Sequence, residues 1–210
     1  MFRKILLSLF VLFPFNARVL ATVFTVTSNA ESGAGTLTDA LTQAAANGSA
    51  TKDYINFNLP DLSEAGRTII ITGLLPEISS NLVIDGTTQP GSNFGVSGAK
   101  VKILVSFYSD ASVLCCLNIN QQESVEIYGL YLDRDPAFFS QYNNQAFGIY
   151  SSYSKNITIG APGKGNIIKN FEVNIQFDAG DYYIDTTGLA QNIKVSSNFI
   201  GIDEDGVSVC

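Results

Sequence analysis

Three short stretches of the sequence carry side chains able to do chemistry. The first is "DRDPAFFSQYNNQAF", Asp133 to Phe147, which sets Asp133, Arg134 and Asp135 beside Phe138, Phe139 and Tyr142. Aromatic rings stack on the apolar faces of sugars, and carboxylates accept hydrogen bonds from sugar hydroxyls. A loop longer than its neighbours is often functional, so these six residues are the candidate ligand-binding set. The plainer alternative is a loop whose aromatics fold back over the body of the protein. The second stretch, "GAPGKGN" from Gly160 to Asn166, has the glycines and lysine of a phosphate cradle. A P-loop needs four residues before its Gly-Lys, then Ser or Thr, then a helix. Here two residues intervene, Gly165 follows Lys164, and the run after it is β-like, so a tight turn is expected. The third, "DEDG" from Asp203 to Gly206, matches only the start of a calcium loop and is also expected to be a turn.

Cleavage of a polysaccharide would need a carboxylate pair or a cation-assisted base on one face. Asp133, Asp135, Asp178, Asp181, Asp185 and Asp203 are available, with Arg67 and Arg134, but none sits in a lyase or hydrolase motif. No catalytic residue is assigned, and a polysaccharide lyase or glycoside hydrolase is the second choice of function. The chain has no His, and its Cys and carboxylates lack metal-ligand spacing, so no metal and no cofactor are expected. A net charge of −7 argues against nucleic acid, whose phosphates need a basic surface. Cys115 and Cys116 are adjacent and must point to opposite faces of a strand, so at most one is a small core hydrophobe. No structural disulfide is expected, because the spacing is unlike a disulfide framework.

These residues must be positioned by a short list of elements. Residues 1–21 read as a signal peptide: Arg3 and Lys4, an apolar run from Ile5 to Phe15, then small residues before a cut between Ala21 and Thr22. The run is too short for a bilayer span, and no other is longer, so the mature chain is expected to be exported without a membrane span. Residues 22–60 read as an N-terminal cap holding one helix, Leu37–Ala46, with Thr36 as N-cap, Asp39 three positions on and Asn47-Gly48 as its stop. Residues 61–210 read as short strands, among them Thr68–Thr72, Lys100–Ser106, Val125–Tyr131 and Tyr182–Asp185.

A weak repeat runs through them. "SNLVI", "KNITI", "VNIQF" and "QNIKV" share an Asn before alternating apolar residues, and "ESVEI" is a copy without it. Asn156, Asn174 and Asn192 are spaced by 18 residues, which suits one coil of a β-solenoid better than a propeller blade. Asn tolerates left-handed backbone beside each strand and can bond its neighbour in the next coil. The expected fold is therefore all-β, a parallel β-helix with a short N-terminal capping α-helix; a β-sandwich is the competitor. The last repeat breaks off after "NFIGIDEDGVSVC", so the sequence is expected to be the front part of a longer protein or a truncated product.

Ser32-Gly33-Ala34-Gly35-Thr36-Leu37 with Ala40-Leu41, then Ala46-Asn47 and Ile55-Asn56-Phe57-Asn58, resembles the N-terminal cap of bacterial secreted right-handed parallel β-helix proteins. Thr38 stands where that family usually has Arg. "GLLPEISSNLVIDGTTQPG" is similar to the family's first full coil, and "NITIGAPGKGNIIKNF" and "SSNFIGIDEDG" to its repeats. The resemblance implies a right-handed, pectin lyase-like β-helix that is secreted; the expected location is extracellular or at a bacterial cell surface. The family has no single chemistry; the expected function is a non-enzymatic scaffold or adhesin-like module binding an extracellular polysaccharide or a surface protein.

Overall fold

The computed structural model describes residues 21–107, 114–138, 145–178 and 190–209. Phe139, Tyr142, Asp181, Asp185, the predicted strand Tyr182–Asp185 and the signal segment before Ala21 lie outside the described residues.

Among the described residues the chain is mostly strand, in three parallel sheets, with one α-helix. The first sheet has the order β1 (Val23–Val26), β2 (Asp53–Phe57), β4 (Leu82–Asp85), β7 (Glu126–Tyr128), β10 (Thr158–Ile159), β13 (Lys194–Val195). The second runs β3 (Thr68–Ile71), β5 (Val101–Val105), β8 (Leu130–Arg134), β11 (Ile167–Ile168), β14 (Phe199–Ile200). The third runs β6 (Leu114–Asn120), β9 (Ala146–Ser152), β12 (Val173–Asp178). From β4 onward the chain visits first, second and third sheet in fixed rotation, and each strand pairs in parallel with the next strand of its own sheet.

Alternation with period 2 explains why these segments are strands and which side each side chain takes. In-register pairing then lines up like with like. Ile55, Ile84, Ile127 and Ile159 form one file in the first sheet; Ile69, Ile103, Leu132 and Ile168 form another in the second. Leu117 and Ile149 do the same in the third. All three sheets turn these files into one core. Each fully buried Ile contributes about 2 kcal/mol of hydrophobic stabilisation. The files end on Val195 and Ile200, which are 39% and 42% exposed.

Helix α1 (Leu37–Asn47) packs against β1 and β2 through Leu37, Ala40, Leu41 and Ala44, which join the same core. Thr36 caps it, accepting from the Asp39 amide at 3.2 Å, while Asp39 Oδ2 accepts from the Gly35 amide at 2.9 Å. Where the family resemblance would place an Arg, the Thr38 hydroxyl donates to the Glu31 carbonyl at 2.6 Å. No helix among the described residues is long and apolar enough to cross a membrane. Cys115 and Cys116 are free thiols; Cys116 belongs to the core and Cys115 does not.

Three sequence expectations are corrected. Val125–Tyr131 is two strands rather than one: Gly129, at φ +63°, turns the chain from β7 in the first sheet to β8 in the second. The loop expected from Asp133 to Phe147 is shorter, because Asp133 and Arg134 complete β8 and Ala146 begins β9. The 18-residue spacing does not close a circuit. Asn156 and Asn192, 36 positions apart, are the pair that stack, whereas Asn174 lies in β12 of the third sheet. Three strands and their corners need more chain than one 18-residue unit supplies.

Candidate functional site

Of the six residues proposed for ligand binding, Asp133, Arg134, Asp135 and Phe138 are among the described residues, and Asp133 and Arg134 are buried rather than set on an exposed platform. Asp133, 6% exposed, is a hub: Oδ2 meets Lys102 Nζ at 2.9 Å, and Oδ1 accepts from Asn170 Nδ2 at 2.8 Å and the Arg134 amide at 2.9 Å. Arg134, 2% exposed, reaches both oxygens of Glu172 at 2.6 Å and donates to the Phe138 carbonyl at 2.6 Å. Asp135 accepts from the Ala137 amide at 2.9 Å and so opens the short 3-10 turn Pro136–Phe138. Phe138 is half-buried. Burial reassigns Asp133 and Arg134 to holding strand ends and corners. Arg67 is likewise structural, donating to the carbonyls of Leu62, Ser92 and Lys100 and lying 4.5 Å from the Phe94 ring centroid.

The richest partly exposed cluster lies instead on the outer face of the first sheet. Glu126 and Tyr128 are two positions apart on β7 and therefore share a face. Lys52 pairs with Glu126 Oε1, and the Tyr128 hydroxyl donates to Glu126 Oε2 at 2.8 Å. In register with Tyr128 is Asp85, whose Oδ2 accepts from Lys164 Nζ at 2.7 Å; that ammonium lies 5.3 Å from the Tyr128 ring centroid. The row Lys52, Glu126, Tyr128, Lys164, Asp85 alternates in charge and neutralises itself. The lysine of "GAPGKGN" is thus an ion-pair partner. Its loop is a turn, with Gly160 and Gly163 at φ +75° and +74° and the Lys164 amide bonded to the Ala161 carbonyl at 2.8 Å. The corner beyond it is held by Asn166, which accepts from the Leu130 amide at 2.9 Å and donates to Asn198 Oδ1 at 2.9 Å. Asp203–Gly206 is also a turn, closed by the Gly206 amide on the Asp203 carbonyl at 2.9 Å.

Beside the charged row runs a file of small polar side chains. Asn81, Ser124, Asn156 and Asn192 all have left-handed backbone, φ 55°, 61°, 56° and 55°. Asn192 Nδ2 donates to Asn156 Oδ1, and Asn156 Nδ2 to Glu123 Oε1, both at 2.9 Å. Ser124, Asn156 and Asn192, with Lys52, Glu126, Thr158 and Lys194, line an open groove of about 360 Å³. Among the described residues no group of three or more His, Cys, Asp or Glu side chains could hold a metal ion.

Burial alone would raise the Glu126 carboxyl, but the Lys52 ammonium and the Tyr128 hydroxyl outweigh it and hold it below the usual glutamate range. Burial, then Glu126, push the Tyr128 phenol strongly up. Both groups are therefore fixed in one protonation state around neutrality. Because the folded value of Glu126 is depressed, its stabilisation is complete above the unfolded glutamate value, about 4.3, and is lost as pH falls through the folded one. A carboxyl-carbon NMR titration should show Glu126 below ordinary glutamate in the parent and displaced upward in Lys52→Ala; equal values in both would refute the pairing.

Sequence reasoning missed this row because its members are far apart in the chain: 74 positions separate Lys52 from Glu126 and 79 separate Asp85 from Lys164. The one local signal was Glu126 and Tyr128 at alternate positions of a strand. The geometry defines a mostly-β protein of parallel sheets with a charge-neutralised, amide-rich outer face. No protein-family model matches the chain, and no curated protein matches it.

Proposed function

We propose that the chain is an exported, non-enzymatic right-handed parallel β-helix domain, a scaffold at the cell surface or in the medium that binds glycan or protein. The fixed rotation through three parallel sheets around one core supports the solenoid, and α1 beside β1 supports the cap. The Thr22 amide donates to Asp53 Oδ1 at 2.9 Å. Cleavage after Ala21 would turn that bond into an ion pair, which favours the expected cut. The observation that carries the binding reading is the outer face of the first sheet, whose groove is lined mainly by Ser, Thr and Asn and whose Lys52–Glu126 and Lys164–Asp85 charges are paired.

A second reading, a polysaccharide lyase or glycoside hydrolase, rests on Glu126 and Asp85 sharing that face with two ammonium groups. A hydrolase needs one carboxyl kept protonated near neutral pH, and Glu126 is held the other way. The test is a glycan array run with reducing-sugar and unsaturated-product assays on residues 22–210. Binding without product is expected; product from any bound glycan would move the assignment to the enzyme.

A further inference from the structure

Strand β2 turns Asp53, Ile55 and Phe57 to its buried side, and Asp53 is 2% exposed. Its register partner on β4, Leu82, is fully buried. Both carboxylate oxygens are held by neutral donors: Oδ1 accepts from the Thr22 amide at 2.9 Å and Oδ2 from Asn47 Nδ2 at 2.8 Å. Among the described residues no Lys or Arg pairs with Asp53. Lys52, its neighbour in the chain, takes the other face and pairs with Glu126. A carboxylate this deeply buried ordinarily has a cation beside it.

A second feature points to the same missing charge. Asn47 is the last residue of α1, and the last turn of that helix carries no basic residue. A helix C-terminus bears about half a negative charge and favours a cation. The carboxylate and the helix end therefore both favour positive charge where β1, α1 and β2 meet. The Thr22 nitrogen already stands there. Its place is fixed from one side, where the Thr22 carbonyl accepts from the Tyr54 amide at 2.9 Å and Val23 pairs with Tyr54. Asn47 Nδ2 also reaches Thr22 Oγ1 at 3.3 Å. On the other side Ala21 is exposed.

We propose that Asp53 and Asn47 form a binding site for the chain's own α-ammonium, so that cleavage after Ala21 locks the N-terminal cap. An export peptidase hydrolyses the Ala21–Thr22 bond. The water's hydroxyl goes to the Ala21 carbonyl carbon and its proton to the Thr22 nitrogen; the new acid then gives up a proton and the new amine takes one. A single N–H donor becomes three on a positive nitrogen, already 2.9 Å from Asp53 Oδ1. Hydrogen bonds between ionised groups are about twice as strong as neutral ones. The uncut chain therefore closes its cap less firmly than the cut one. The inference rests on the export reading and adds what the cut does to the fold.

The test compares the chain that begins at Thr22 with one carrying Gly-Ser before it, which keeps an amide at Thr22 and moves the ammonium away. Followed by circular dichroism, the first should melt about 4 °C higher. Asp53→Asn should bring the two to within about 1 °C of each other. Equal melting of the two parents, or a difference that survives Asp53→Asn, overturns the proposal. Should Asp53→Asn fail to fold, NMR titration of the Thr22 α-amino group decides. Asp53 of β2 is the titratable group bonded to it, and α1 contributes the neutral Asn47. Its value should lie above the ordinary range of about 7.7–8.0, and a value inside that range overturns the proposal. Mass spectrometry of the exported protein should find Thr22 first. A chain that begins at another residue overturns this proposal and leaves the binding reading to its glycan array; a chain that keeps its leader removes the export reading as well.

Discussion

Asp133→Ala is expected to cost the folded state about 3–5 kcal/mol, the usual penalty for removing one partner of a buried ion pair. The change strands Lys102 Nζ, 2.9 Å from the lost oxygen, and takes the acceptor from Asn170 Nδ2. Lys102 is poorly placed to recover hydration, because its ammonium lies 4.5 Å from the Tyr131 ring centroid. Replacing both partners, Asp133→Leu with Lys102→Met, should restore most of the loss, since two apolar groups leave no charge unpaired. Urea denaturation of the parent and the two variants checks this. A ligand contact on an exposed loop would behave differently: Asp133→Ala would change stability by less than about 0.5 kcal/mol.

Gly160→Ala is expected to cost about 3 kcal/mol, from two sources. Its φ of +75° is left-handed, which costs a residue with a Cβ about 1–2 kcal/mol. A Cβ there would also stand 2.3 Å from the Ser196 carbonyl oxygen and 2.2 Å from Asn198 Oδ1. That is overpacking against the backbone that follows β13, the parallel neighbour of β10, about 1–3 kcal/mol. Gly163→Ala separates the two: φ is +74°, but no atom lies within 4 Å of the added carbon. It should cost only the backbone share. Thermal melting of both variants reads the difference. Equal losses would mean that the turn does not press against the backbone that follows β13.

Much of the fold was legible in the sequence because it is local. Thr36, Asp39 and the stripe of Leu37, Ala40, Leu41 and Ala44 specify α1 from one window. Alternation fixed most strands, and the Asn before each copy marked the left-handed position that Asn81, Asn156 and Asn192 occupy. What failed was non-local. Nothing within "ESVEIYGLYLDR" tells that Gly129 moves the chain to another sheet, so Asp133 and Arg134 were placed in a loop rather than in β8. The equal spacing of Asn156, Asn174 and Asn192 suggested one turn per unit, although half of that period falls on a different sheet. The charged row was unreadable for the same reason. Lys52 and Glu126 meet only because β2 pairs with β4 and β4 with β7 in one register, and register is a property of the stacked strands.

The two outer faces differ in a way that bears on function. On the first sheet the ionised groups satisfy one another, which lowers their capacity to move protons or to hold a charged ligand tightly. On the third sheet amides, hydroxyls and one propped aromatic ring are set out beside the carboxylates of Glu77 and Asp178, to which Asn118 and Tyr150 donate. Both are surfaces that display groups in a fixed lattice, which a rigid stack of parallel strands does well.

All of this depends on neighbouring strands of each sheet pairing in parallel and in one register, and through-hydrogen-bond NMR couplings test that most directly. The amides of Thr158 and Gly160 should couple to the carbonyl carbons of Val125 and Ile127, and those of Lys194 and Ser196 to Ile157 and Ile159. This one-way, evenly spaced ladder belongs to parallel strands. Reciprocal couplings, in which two residues exchange both bonds, would mean antiparallel pairing and would contradict the stacked arrangement on which the proposed surface rests.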